Sequence, residues 1–285
     1  MRVTTGGGWV AAVAAVVVLA PQPRLEAAQL QSETVEAWDA YVRATEERMA
    51  GELNSTRGFL AEDFAAGPAS APQVVQSRSI PVVKLAATDS QGGDISVPGG
   101  MVHHWRGRVF IPGVTVDQIL ERVSNPRPAD TAQDDVLESR VLDRGPDSLR
   151  LFLRLQRSQI VTVVYNTEHA VSYQRHGPGR ASSHSVATRI AEVADPNTPE
   201  ESEKPLGNDR GFLWRLNSYW RYQQVEGGVV VECESISLSR TVPALLRVTV
   251  RPIIDLVARG SMERTLSSMR QRFTASSANR RANGL

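Results

Sequence analysis

Between Leu149 and Gln156 the chain alternates. Leu149, Leu151, Leu153 and Leu155 share one face, and Arg150, Phe152, Arg154 and Gln156 share the other. A period of two is the signature of a strand with one buried face. Similar stretches occur at His103–Ile111, Val136–Leu142, His169–Arg175, Ser183–Val193, Phe212–Gln224 and Val229–Ser239. Ile160–Tyr165 reads as a continuation of the leucine strand past a bulge at Ser158, with a turn at Asn166–Thr167. Val225-Glu226-Gly227-Gly228 joins the last two strands.

Two segments carry a helical period instead. In Val114–Ser124, Val116, Ile119, Leu120 and Val123 fall on one side, and Asn125-Pro126-Arg127-Pro128 stops the run. Pro243–Phe273 carries a stripe of Leu246, Val250, Ile253, Val257, Met262, Leu266, Met269 and Phe273. Pro252 lacks an N–H and disfavours a helical Arg251, so a kink or break is expected there. Gly260 leaves either a close approach to the sheet or room for a ligand. The order is strand, helix, six strands, long helix. That predicts an α+β domain whose curved antiparallel sheet is covered by the C-terminal helix.

Ahead of this domain, Gln29–Leu53 predicts a helix with Val35, Trp38, Val42, Thr45 and Met49 on one face. It packs on the domain or on a second copy of itself. Pro, Gly, Ala and Ser dominate residues 67–100, which read as a linker with one extended piece, Ile80–Ala86. Asp195–Gly211 is acidic and long, a lid or a solvated loop. The resulting division is a signal peptide at 1–28, a helical segment at 29–66, the linker at 67–100, the main domain at 101–273 and a flexible tail at 274–285.

The element order, Ile111-Pro112-Gly113 leading into the first helix, Gly227-Gly228 between the last strands, and the closing VPALLRVTVRPIIDLVARGSMERTLSSM together resemble the START-like superfamily (SRPBCC, helix-grip or Bet v 1-like). The chain looks closest to uncharacterised exported bacterial members. The resemblance implies a β-α-β6-α grip around an elongated cavity that takes lipids, sterols, isoprenoids or polyketides. No catalytic motif defines the superfamily, so it implies a shape and not a chemistry.

Charge changes the picture by exclusion. The 32 Lys and Arg against 31 Asp and Glu give a net charge of +1, which leaves no electrostatic footprint for nucleic acid. Arg2 followed by the apolar run Trp9–Ala20 reads as a signal peptide and places the protein in the periplasm or outside the cell. The single Cys233 has no intramolecular partner and reads as a buried thiol. His103 and His104 are adjacent on a strand, point to opposite faces, and do not chelate one ion. No metal and no cofactor are expected.

The candidate ligand-binding residues follow from the faces. Trp214, Leu216, Trp220 and Tyr222 share the face predicted to meet the helix, while Arg215, Asn217, Tyr219 and Arg221 point away. Glu232 and Glu234 are expected to form surface ion pairs with Arg215 or Arg221. Tyr165, His169, Tyr173 and Arg189 are the polar candidates for orienting a ligand, and Ile253, Val257 and Gly260 would close the cavity from the helix. Three functions are compatible with this set. One is an exported protein that binds, and can shuttle, a hydrophobic small molecule, with transient membrane contact. Another is a cyclase/aromatase-like enzyme in which His169, Tyr173 or Arg189 positions an enolate. The third is a structural protein with a filled core, self-associating through residues 29–53.

Overall fold

The computed structural model describes residues 28–64, 80–126, 135–158, 162–241 and 244–282, with side chains for all of these but 244–254 and 275–282. Residues 1–27 of the signal-peptide segment and residues 67–79 of the stretch read as linker lie outside the described residues. Eleven strands are β1 (Ala28–Gln29), β2 (Val82–Lys84), β3 (Gly100–Pro112), β4 (Val136–Arg144), β5 (Ser148–Ser158), β6 (Thr162–Arg175), β7 (Arg180–Ala194), β8 (Ser202–Glu203), β9 (Asn208–Asp209), β10 (Arg215–Val225) and β11 (Gly228–Arg240). Three helices are α1 (Ser32–Leu53), α2 (Val116–Ser124) and α3 (Ala244–Ala282).

The main sheet runs β2-β3-β11-β10-β7-β6-β5-β4, with β8 added to β7. All of its pairings are antiparallel. From Gly100 onward, and setting aside the two-residue strands β8 and β9, the order is β-α-β6-α. This is the helix-grip α+β fold. Helix α2 starts on a capping box in which Thr115 Oγ1 accepts from the Gln118 N–H and Gln118 returns a bond to the Thr115 N–H.

Where α3 meets the sheet, the strand has a glycine. A Cβ on Gly107 of β3 would lie 2.7 Å from Leu266 Cδ1 and 2.9 Å from Met262 Cγ. The missing side chain lets the helix approach, and Met262, Leu266, Met269 and Phe273 bury against β3, β11 and α2. Gly260, by contrast, is not a close approach. A Cβ there would meet only the Arg264 guanidinium at 3.4 Å. Helix α3 runs through Pro252 without the expected break and on to Ala282, past the segment read as helical.

Two strand boundaries differ from expectation. β5 and β6 pair in the register Ser158↔Thr162, so the chain reverses there and not at Asn166–Thr167. Thr167 is fully buried mid-strand, with Oγ1 donating to the Leu153 carbonyl. That bond holds a polar residue inside the sheet and defeats its turn propensity.

Of the two expected positions for the N-terminal helix, the structure shows it packed on its own domain, on the other face of the sheet. Helix α1 lies across β3, β11 and β10, where it buries Thr34, Trp38, Tyr41, Thr45 and Met49. Trp38, Tyr41 and Met49 pack with Tyr219, Ile236 and Leu238. The sheet is therefore sandwiched between α1 on its convex side and α2 with α3 on its concave side. Ala87, Ile95 and Val97 pack here too, whereas Ile80 and Val82 join the cluster under α3.

Candidate functional site

The concave face is built from directly opposed residues on six strands. Its central rows are Tyr173, Ser183, Trp220, Cys233 and Gly107, then Val171, Ser185, Ser218, Ser235 and Trp105. β5 adds the four leucines, with Leu149 opposite Val171 and Leu151 opposite His169. Leu149 and Leu155 are buried, but Leu151, Leu153, Val171, Leu216 and Trp220 keep part of their surface exposed. A row of large apolar side chains half-exposed on the inner face of a curved sheet is a wall that something else can cover.

Several expected ligand contacts sit on this wall. Trp220 and Tyr222 belong to the cluster under α3, and Tyr222 places its hydroxyl 3.0 Å from Ser183 Oγ. Leu216 and Tyr165 meet further along, with Leu155, Val163, Ala187 and Ile190. The Tyr165 hydroxyl is buried and unbonded, and burial raises its pKa. Tyr173 packs inside and donates to the Val123 carbonyl of α2 at 2.9 Å, so its hydroxyl ties helix to sheet. His169 is buried with Nε2 3.0 Å from Thr167 Oγ1, and desolvation lowers its pKa to about 4. At neutral pH it is an uncharged imidazole. From α3, Val257 is half-buried, Gly260 faces the Arg264 side chain, and the side chain of Ile253 lies outside those described.

Two of the expected contacts are elsewhere. A bulge at Thr188 offsets the pairing, with Glu168 opposite Arg189 but His169 opposite Ala187. One extra residue inverts the alternation. Arg189 therefore points to the outer face and pairs with Glu203 of β8. Trp214 precedes the first residue of β10, so the strand's alternation does not extend to it. It packs on the α1 side, and its Nε1 donates to Asp209 Oδ1 at 3.1 Å.

The convex face holds residues expected at the surface. Glu232 and Glu234 are 3% exposed and Arg221 is 4% exposed, because α1 and residues 59–64 cover them. Arg48 reaches Glu234, Arg221 reaches Glu52 and the Phe59 carbonyl, and Glu232 accepts from the Ala61 N–H. His104 joins this network through Glu234, while His103 faces the concave side and bonds Ser239. Burial tends to raise the Glu234 pKa, yet the His104 hydrogen bond and the nearby Arg48 hold it below its usual value. Such a seam fixes where α1 sits, since each buried charge needs its partner. On the same side an open groove of about 740 Å³ runs along α1, lined among others by Val35, Trp38, Val42, Val186 and Arg215.

The 195–211 segment is anchored on the outer face through Glu201 and on the inner face through Glu192, which stands opposite Tyr165. Glu201 pairs with Arg154, and Lys204 pairs with the buried Glu192, as does Arg210. Among the described residues there is no group of three His, Cys, Asp or Glu placed to hold a metal ion. No described helix is long and apolar enough to cross a membrane.

No family model matches the chain, and no curated protein is similar to it in sequence. Solved structures similar to it include START and aromatase/cyclase domains. A STAR-related lipid transfer protein from Xanthomonas axonopodis is 16% identical, with a TM-score of 0.42 over 67% of this chain and 98% of that one. Human STARD10 is 10% identical, with a TM-score of 0.45 over 72% and 74%. The Zhui aromatase/cyclase from Streptomyces sp. R1128 is 9% identical, with a TM-score of 0.39 over 64% and 96%. Likeness at this level assigns neither ligand nor activity, and the helix-grip fold rests on the strand order and helix placement above.

Proposed function

We propose that this is an exported protein that binds a hydrophobic small molecule between the concave face of the sheet and α3. The observation that carries it is the inner wall of Leu151, Leu153, Val171, Leu216 and Trp220, apolar and incompletely covered. Covering that wall with a ligand removes apolar area from water, at roughly 25 cal/mol per Å². Export follows from residues 1–28 read as a signal peptide, and transient membrane contact would deliver or collect the ligand.

Catalysis is less well supported. Of the three candidate side chains, His169 is bonded to Thr167, Tyr173 to a main-chain carbonyl, and Arg189 lies on the other face. They do not converge on one reacting atom, as acid–base chemistry needs. Self-association through residues 29–53 is also less well supported, because the apolar stripe of α1 already covers its own sheet.

Native mass spectrometry of the protein purified from its own host tests the binding function. A retained mass that extracts into organic solvent, and whose loss leaves the fold intact, is the expected result. A protein that is empty and takes up none of a panel of apolar probes, oxygenated ring compounds included, would contradict it.

A further inference from the structure

The concave wall contains a line of hydroxyls. Ser185 of β7 is directly opposite Ser218 of β10, Ser218 is opposite Ser235 of β11, and Ser235 is opposite Trp105 of β3. All three serines are partly exposed on the inner face, and none of their hydroxyls is hydrogen-bonded to another described residue. Trp105 ends the line with a buried Nε1–H that also lacks a partner. Neighbouring strands are about 4.8 Å apart, so these groups step across the floor at that interval. Lys84, paired with Trp105 across β2 and β3, reaches Asp255 on α3, which sets this row beneath the helix.

The surroundings make the row distinctive. On one side are Trp220 and Cys233, and on the other Leu216 with Ser237. Both inward histidines are kept neutral, since burial lowers the pKa of His103 and of His169 to about 4. Arg189, the cation expected to meet a ligand carboxylate, is on the opposite face. A plain hydrocarbon would strip water from three hydroxyls, leave the indole N–H as unpaired as before, and return nothing, a loss for each hydroxyl left unpaired. Among the described residues the cation at the row is Lys84, over the Trp105 ring, and its charge is already paired with Asp255.

We infer that the cavity selects a neutral ring compound carrying several oxygens, whose hydroxyl or carbonyl groups bond to Ser185, Ser218, Ser235 and Trp105 Nε1. This rests on the binding function proposed above and narrows its ligand class. Serine at these positions supplies donors and acceptors while leaving the depth that a larger side chain would fill.

Three probes of one ring skeleton test it: 1,8-dihydroxyanthraquinone, anthracene and anthracene-9-carboxylate, titrated against the full chain and against S185A, S218A, S235A and the triple variant. The wild type should bind the dihydroxyanthraquinone most tightly. The triple variant should lose about tenfold or more of that affinity while its affinity for anthracene stays within about twofold. The S218A single variant, which removes one oxygen, keeps the comparison interpretable if the triple variant folds poorly. Tight binding that the serine variants leave unchanged, or a preference for anthracene or the carboxylate, would overturn the inference alone. Failure of all three probes to bind the wild type would overturn the binding function and the inference with it.

Discussion

The Tyr41 hydroxyl stands 2.9 Å from His104 Nδ1, joining helix α1 to strand β3. The same oxygen accepts the Ala87 N–H at 2.9 Å, so its own hydrogen is directed at the imidazole. His104 Nδ1 then accepts, and Nε2–H donates to Glu234 Oε1 at 2.7 Å. Burial pushes the Tyr41 pKa up to about 12, which keeps this proton in place. Tyr41→Phe leaves the Ala87 N–H and His104 Nδ1 buried without partners. A loss of about 1–3 kcal/mol in urea denaturation is expected, with faster amide exchange along α1. No change in either would show that the seam does not hold the helix.

Gly107 sets the seat of α3. Gly107→Ala places a methyl against Leu266, which is fully buried and has no room to retreat. Overpacking of this kind should cost about 1–3 kcal/mol. Gly260→Ala, with only a flexible arginine nearby, should be neutral or stabilising through helix propensity. Thermal unfolding of the two variants separates them, and an equal effect would contradict the placement of the helix.

His169 links the inner wall to pH. Its folded pKa is lowered to about 4, against 6.5 for an open chain. The unfolded chain therefore takes up the proton first. This contribution to stability is complete above about pH 6.5 and is lost as pH falls toward 4, by about 3 kcal/mol at most. His169→Gln should reduce the slope of the stability profile across that window and leave the share that His103 contributes, whereas an unchanged slope would mean the imidazole is not held neutral.

Arg189 and Trp220 should respond differently to truncation. Arg189→Ala removes a part-exposed pair with Glu203 and should change stability by less than about 1 kcal/mol. Its effect on apolar probe binding should be nil. Trp220→Ala should weaken the same probe by about tenfold, since it removes a large aromatic side chain from the wall. Equal effects in fluorescence titration would contradict the assignment of faces.

These contrasts show what the residue pattern could and could not convey. The leucine alternation in β5 and the stripe on α3 each bury one continuous face, and period alone identifies them. The inversion at Thr188 was invisible, because a bulge adds a residue without a distinctive composition. The place of α1 was also hidden. An amphipathic helix announces an apolar face but not the surface that receives it, and here that surface includes Glu232, Glu234 and Arg221, which read as solvent-facing until the helix covers them. The serine row was legible only as small side chains. Strand register is what aligns the three hydroxyls.

The most direct test of the central claim is photo-crosslinking with a diazirine-bearing apolar ring compound, followed by peptide mapping. The predicted labels fall on Leu151, Leu153, Leu216 and Trp220, and excess unlabelled probe abolishes them. Saturable labelling of Val35, Val42 and Val186 instead would put the ligand in the groove beside α1, on the wrong side of the sheet, and would contradict the account.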